Sequence, residues 1–142
     1  MDISLEWLND NKPGETAKFF DLQFLEKIED VFKLKVTFPT ESANPMNMVQ
    51  GGMIAAALDD ATAMAVISAY EFKKSPLSTD LHVLFHRPVM IGEAFIDVKL
   101  IKLGRKIATV EGKLFTPENK LAATLLHTCL LYTSDAADDW FC

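Results

Sequence analysis

Seventeen consecutive residues, Met53 to Ala69, contain no glycine or proline and hold seven alanines, at 55, 56, 57, 61, 63, 65 and 69. Asp59 and Asp60 nevertheless sit near the middle of the run. Alanine favours helix and adds little bulk. Met53, Ile54, Leu58, Met64, Val66 and Ile67 distribute apolar surface around much of the circumference. A helix of that kind has to be wrapped by something curved rather than laid on a surface. Two acids inside so short a run argue against a membrane span. Successive helical side chains point about 100° apart, so the two carboxylates meet different surroundings.

The flanking chain supplies the wrapping. Residues 1–12 end at Pro13-Gly14 and read as a short helix and a turn. The first half of TAKFFDLQFLEKIEDVFKLKVTFPT reads as helical. In its second half Phe32, Leu34, Val36 and Phe38 alternate with Lys33, Lys35 and Thr37, as in a strand solvated on one face. The segment ESANPMNMVQGG is a loop leading into the helix. Four strand candidates follow it without an intervening helix: LSTDLHVLFHR, with Leu77, Thr79, Leu81, Val83 and Phe85 in one row, then AFIDVKLIKL, KIATVEGKLF and KLAATLLHTCLLY. Pro88, Leu103-Gly104-Arg105 and Thr116-Pro117-Glu118-Asn119 punctuate them. Strands joined in sequence form an antiparallel sheet whose concave side one long helix can fill. The fold class expected is α+β, one domain over 1–142, with a short N-terminal helical segment and a loose acidic tail from about 134.

The 142 residues carry 14 Lys+Arg against 20 Asp+Glu, a net charge of −6 and a pI near 5.0. Nucleic acid is therefore excluded as a general partner, since it demands a phosphate-neutralising surface. Cys129 and Cys142 make neither a disulfide framework nor a zinc cluster. The residues MDISLEWLNDNKPGE lack the basic region and continuous apolar core of a secretory signal, and a cytoplasmic protein with no membrane association is expected.

Chemistry concentrates where Gly51-Gly52 meets the helix. The first four backbone N–H groups of a helix lack intrahelical partners, and absent side chains let a carbonyl oxygen approach them. An acyl group placed there would have its tetrahedral oxyanion stabilised by an N–H of Gly51 or Gly52. Gly52 and Asp59 share a helical face but lie roughly 10.5 Å apart along the axis. If both act at one centre, donor and acid come from two protomers with their helices side by side, an arrangement that edge-to-edge pairing of an open sheet would build.

In the order of these features, NPMNMVQGGMIAAALDDA followed by STDLHVLFHRPVMIGEAF, the chain resembles the hotdog-fold acyl-CoA thioesterases of the PaaI type from about Asn44 to Tyr132. The resemblance implies a curved antiparallel sheet wrapped around a long central helix, a homodimer or a dimer of dimers, and hydrolysis of an acyl-CoA thioester. CoA would be part of the substrate, with no metal or resident cofactor. It implies Asp59 as catalytic acid residue, as general base or nucleophile, and Gly52 as oxyanion donor. Asn44 would border the site, and Ser78 would help place the attacking water. Where that family has histidine before Gly-Gly, this chain has Gln50, which can position groups by hydrogen bonding but cannot act as an imidazole. A basic turn of the family faces CoA phosphates, and Arg105, with Lys106 beside it, is the corresponding candidate here. A noncatalytic acyl-CoA-binding module and a hotdog hydratase or dehydratase are the alternatives.

Other signals read blandly. His82 and His86, about 13 Å apart on a regular strand, cannot share a metal. Cys129, two residues beyond His127 on an apolar strand, reads as a packed thiol without an evident orienting group. Phe85, Val89 and Met90, around the Pro88 turn, are candidates to line an apolar substrate pocket.

Overall fold

The computed structural model describes residues 3–133, and the acidic tail expected from about 134 lies outside them. Two helices, α1 (Ile3–Asp10) and α2 (Glu15–Phe19), precede the hairpin of β1 (Gln23–Ile28) and β2 (Val31–Phe38). A 3-10 turn at Thr40–Ser42 and an irregular loop lead into α3 (Gly51–Ala69). Four strands follow, β3 (Ser75–Phe85), β4 (Gly92–Leu103), β5 (Ile107–Phe115) and β6 (Leu121–Tyr132). All pairings are antiparallel, in one sheet of order β1-β2-β4-β5-β6-β3. α3 packs against strands of this curved, open sheet, the arrangement known as a hotdog. By length and composition it could cross a membrane, but it serves here as the core helix.

The long helix is built as its composition demands. Gln50 caps it, its Oε1 accepting the Met53 N–H at 3.0 Å, a side-chain cap on the third helical amide. Ile54, Ala57, Leu58, Ala61, Met64, Ala65 and Val66 are buried. Close approach to the sheet depends on a small residue beneath it: a Cβ at Gly112 of β5 would stand 3.0 Å from Thr62 Cγ2 and 3.3 Å from Leu58 Cδ2. Each fully buried leucine or methionine contributes roughly 1.5–3 kcal/mol of transfer free energy.

The alternation in β2 holds, with Phe32, Leu34, Val36 and Phe38 buried. Lys33 and Lys35 of the opposite face pair with Asp97 and Glu93 of β4. The helical expectation for the preceding segment is corrected. Only Glu15–Phe19 is helical, and Gln23–Ile28 is a strand joined to β2 through Glu29, whose φ is 56°. Phe24 is its one buried side chain, because this edge strand is covered near one end only.

The strand row expected in β3 is also corrected. Leu81, Val83 and Phe85 stand opposite His127, Leu125 and Ala123 of β6, but the register slips between Ser78 and Asp80, leaving Thr79 unopposed. This β-bulge inverts the alternation below it, so Ser78, rather than Leu77 or Thr79, joins the face of Leu81. β3 and β4 are not neighbours either. Residues 86–91 lead away from the sheet edge, with Arg87 Nε donating to Leu121 O and Val89 O accepting from Val49 N.

Candidate functional site

Two groups of residues from the sequence reading assemble at different levels of α3. The first surrounds its amino end. Ser42, buried, donates its hydroxyl to Pro39 O, and its carbonyl accepts from Gln50 N. Asn44 Oδ1 accepts from the N–H groups of Met46 (2.9 Å) and Met48 (3.0 Å), tying the loop into a compact turn. Gln50 Oε1 and O take up the N–H groups of Met53 and Ile54. No acceptor for the N–H of Gly51 or Gly52 occurs among the described residues. Gly52 is exposed, and a Cβ on it would meet the Gln50 side-chain oxygen at 2.8 Å. The glycine is therefore required by the fold of the Gln50 cap as well as by access to the amide.

A cavity of about 330 Å³ adjoins this end, bounded by Asn44, Gly51, Ile54, Phe85, Arg87 and Val89, among others. The Phe85 ring rests against Gly51, and Val89 is buried. Of the three pocket candidates, Met90 alone does not line this cavity; it is 64% exposed.

The second group lies two turns further along. Ser78 Oγ is 3.1 Å from Asp59 Oδ1 and 2.8 Å from His127 Nε2. Asp59 Oδ1 is 3.5 Å from the same imidazole nitrogen. The other ring nitrogen of His127 lies 2.7 Å from Thr62 Oγ1, which is itself 2.8 Å from Leu58 O and 3.0 Å from Asp59 O. His127 and Thr62 are fully buried. Burial holds the imidazole below its ordinary value of 6.5, and the Asp59 carboxylate opposes that shift. Cys129 Sγ, 3.3 Å from His127 Nε2, is buried and its thiol is pushed up to about 11, by burial first and by Asp59 second. It stays an uncharged thiol at neutral pH.

His127 is the residue that sequence reasoning placed in the background. Its orienting group is Thr62, 65 positions away, and its hydroxyl neighbour is Ser78, 49 positions away. The one available signal was an imidazole on the inward row of an otherwise apolar strand.

Asp60 turns away from this group, as the 100° offset requires. It faces Thr16 of α2, whose hydrogen bond lowers its pKa without overcoming the raising effect of burial; Asp59 adds repulsion. Its Oδ2 is buried with no hydrogen-bond partner among the described residues. Arg105 and Lys106 sit at the other end of α3. Tyr70 at the helix end donates to Gly104 O, Lys74 to Arg105 O, and Lys106 O accepts from Leu131 N. Within one protomer the basic turn is therefore about a helix length, on the order of 27 Å, from the free amides. No cluster of three or more potential metal ligands occurs among the described residues.

A long central helix packed against a curved, open antiparallel sheet, with glycine amides at its start and a carboxylate on its body, is the hotdog architecture. Residues 46–123 match the family model of the thioesterase superfamily, and the chain belongs to that superfamily. A phenylacetic acid degradation-related protein of Ralstonia eutropha is 28% identical, with a TM-score of 0.79 over 91% of this chain and 99% of that one. A Haemophilus influenzae thioesterase superposes with a TM-score of 0.83 at 22% identity, covering 94% and 93%. The Escherichia coli PaaI protein gives 0.73 at 16% identity, covering 89% and 92%. Thioesterase-type hydrolase chemistry follows from the membership.

Proposed function

We propose that the protein hydrolyses acyl-CoA thioesters to a carboxylic acid and CoA, with Asp59 as the acid-base residue and the Gly52 N–H as the oxyanion donor. The observation that carries this reading is the Asp59 carboxylate, set in an apolar helix with the Ser78 hydroxyl 3.1 Å from it. The thioester carbonyl oxygen accepts from Gly52 N–H, with the Asn44 amide alongside, and gains charge as water adds to carbon. Asp59 takes the water proton, the carbon–sulfur bond breaks, and CoA leaves as thiolate. Attack by Asp59 itself, giving a mixed anhydride, uses the same residues. Phe85 and Val89 border the acyl group, Gln50 holds the helix end in shape, and Arg105 with Lys106 meets the CoA phosphates.

The roughly 10.5 Å between Gly52 and Asp59 along one helix is too great for one carbonyl, so the working unit is a homodimer that shares each site. β3 supports this: it is an 11-residue edge strand carrying exposed Leu81, Leu84 and Phe85 and contributing Ser78.

A thiol-release screen over short-chain, long-chain and aromatic acyl-CoAs tests the reading, using wild type, D59N and D60N with mass and folding measured in parallel. D59N is expected to lose about 100-fold or more of turnover. D60N should retain it. Near-wild-type turnover by D59N beside an inactive D60N would reverse the assignment. Mixing G52A with D59N chains should restore part of the activity through hybrid dimers that hold one intact site. R105A should raise KM with little change in kcat.

A further inference from the structure

We propose that Asp59, Ser78 and His127 form a proton wire, with the His127 tautomer set by Thr62, so that the proton taken from water is stored on the buried imidazole. The inference rests on the thioesterase reading above. It assigns a relay role to a histidine that the acid and amide chemistry does not itself require.

Counting protons carries the argument. Thr62 has one hydroxyl hydrogen, and Leu58 O at 2.8 Å and Asp59 O at 3.0 Å are acceptors only. In the proposed arrangement that hydrogen goes to a carbonyl, so Thr62 Oγ1 accepts at its 2.7 Å contact with His127 Nδ1, Nδ1 carries the hydrogen and Nε2 of the neutral ring has a lone pair. The opposite arrangement, with Thr62 donating to Nδ1 and Nε2–H to Ser78, is the one the tautomer measurement tells apart. That lone pair faces Ser78 Oγ at 2.8 Å, and Ser78 Oγ faces Asp59 Oδ1 at 3.1 Å. Two contacts need two hydrogens, and Ser78 owns one. With the hydrogen on Nδ1, the chain is satisfied throughout only when it holds one more, on Asp59 or on His127. In that tautomer it takes up a single proton and can hold it at either end.

During hydrolysis the Asp59 carboxylate removes a proton from water as the water oxygen bonds to the carbonyl carbon, and the carbonyl π pair moves to oxygen. The new Asp59 O–H bond then breaks toward Ser78 Oγ while the Ser78 O–H bond breaks toward His127 Nε2. This restores the carboxylate and leaves an imidazolium 3.5 Å from it, where the two charges attract. When the carbon–sulfur bond breaks, its electron pair leaves on sulfur. The stored proton returns through Ser78 to Asp59 and on to the thiolate or solvent. The groups facing the imidazole are Asp59 and Thr62 of α3, Ser78 of β3 and the neutral thiol of Cys129 on β6; β5 presents apolar Val110 opposite it. Asp60 faces α2.

The test combines pH profiles of kcat and kcat/KM for wild type, H127Q, T62V and T62S with nitrogen-15 NMR of the wild-type imidazole. H127Q should lose about 100-fold in kcat with KM changed less than about threefold. T62V should lose about tenfold and displace the acid limb of the profile, and T62S should restore both. In the wild type Nδ1 should carry the hydrogen above the acid limb. A wild type with its hydrogen on Nε2, or T62V with wild-type kcat and limb, would overturn the wire. Loss of kcat in H127Q with the acid limb unmoved would reduce His127 to a packing role and overturn it as well. The NMR result needs no variant to fold. Absence of thiol release from the wild type on every CoA ester would instead sink the thioesterase reading, whereas active wild type with the Nε2 tautomer would sink the wire alone.

Discussion

Replacing Gly52 with alanine separates stability from turnover, because the one added carbon meets a flexible neighbour on one side and the approach path of substrate on the other. The Cβ would stand 2.8 Å from Gln50 Oε1, 3.4 Å from its Nε2 and 3.5 Å from its Cδ, all in the far end of a side chain on the surface. Gln50 can swing away, and the cost is the cap it gives to Met53 N–H at 3.0 Å, about 1 kcal/mol. Exchanging glycine for alanine in the first turn returns up to about 1 kcal/mol of backbone entropy. The two nearly cancel, so the melting temperature of G52A should stay within roughly 3 °C of wild type. The thioester carbonyl has no such freedom. Held off the amide by a methyl group, it forgoes much of an oxyanion contact worth about 3–4 kcal/mol, or 100-fold to 1,000-fold in kcat. Thermal unfolding and thiol release on the same preparation read both quantities. Adding Q50A checks the cause: alone it should cost about 1 kcal/mol, but on the G52A background almost nothing, since the cap is already lost. Turnover within a few-fold of wild type in a stable G52A would refute the oxyanion argument. Additive stability losses in the double variant would refute the cap argument.

Three further outcomes follow from the packing. D60N removes a desolvated carboxylate with an orphaned oxygen beside Asp59. A raised folded pKa means stability is lost as pH climbs above the unfolded value of 3.8, so D60N should melt roughly 3–5 °C higher at pH 7 and gain little near pH 3, as calorimetry would show. His127 has the opposite signature. Its folded pKa lies below the ordinary 6.5, so the unfolded chain binds the proton first and stability should fall as pH drops below about 6.5. H127Q should flatten that slope in urea titrations run across the same range. G112A places a methyl 3.0 Å from a Thr62 carbon whose hydroxyl is already committed; about 1–3 kcal/mol of destabilisation and reduced turnover are expected, and a neutral effect would show that α3 can ride upward freely.

Much of this architecture was readable from residue order. The helix over Met53–Ala69 announced itself by composition, β2 by strict alternation, and the three final strands by alternation between turn residues. What escaped reading has physical reasons. β1 buries a single side chain and turns into β2 through a glutamate in left-handed conformation, so neither periodicity nor glycine marked it. The position of β3 beyond β6 depends on which edge remains open after α3 crosses the sheet, a property of the assembled layer rather than of any segment. In the site, Gly51-Gly52 and the opposed directions of Asp59 and Asp60 could be deduced from helical geometry. Thr62, His127 and Ser78 could not be joined, because they come from three elements and meet only once Gly112 lets the helix settle close to the sheet.

The unopposed Thr79 has an implication for how such chains diverge. Deleting that one residue would leave Ser78 opposite Cys129 and Asp80 opposite Thr128 as consecutive positions of a regular strand, so the serine would keep the face of Leu81. It would turn to the other surface only if the bulge were ironed out with every residue retained, which slips the pairing by one. Descendants with either strand length can therefore hold the hydroxyl in place, and its inheritance is better judged by the β6 residue it faces than by its distance in sequence from Leu81.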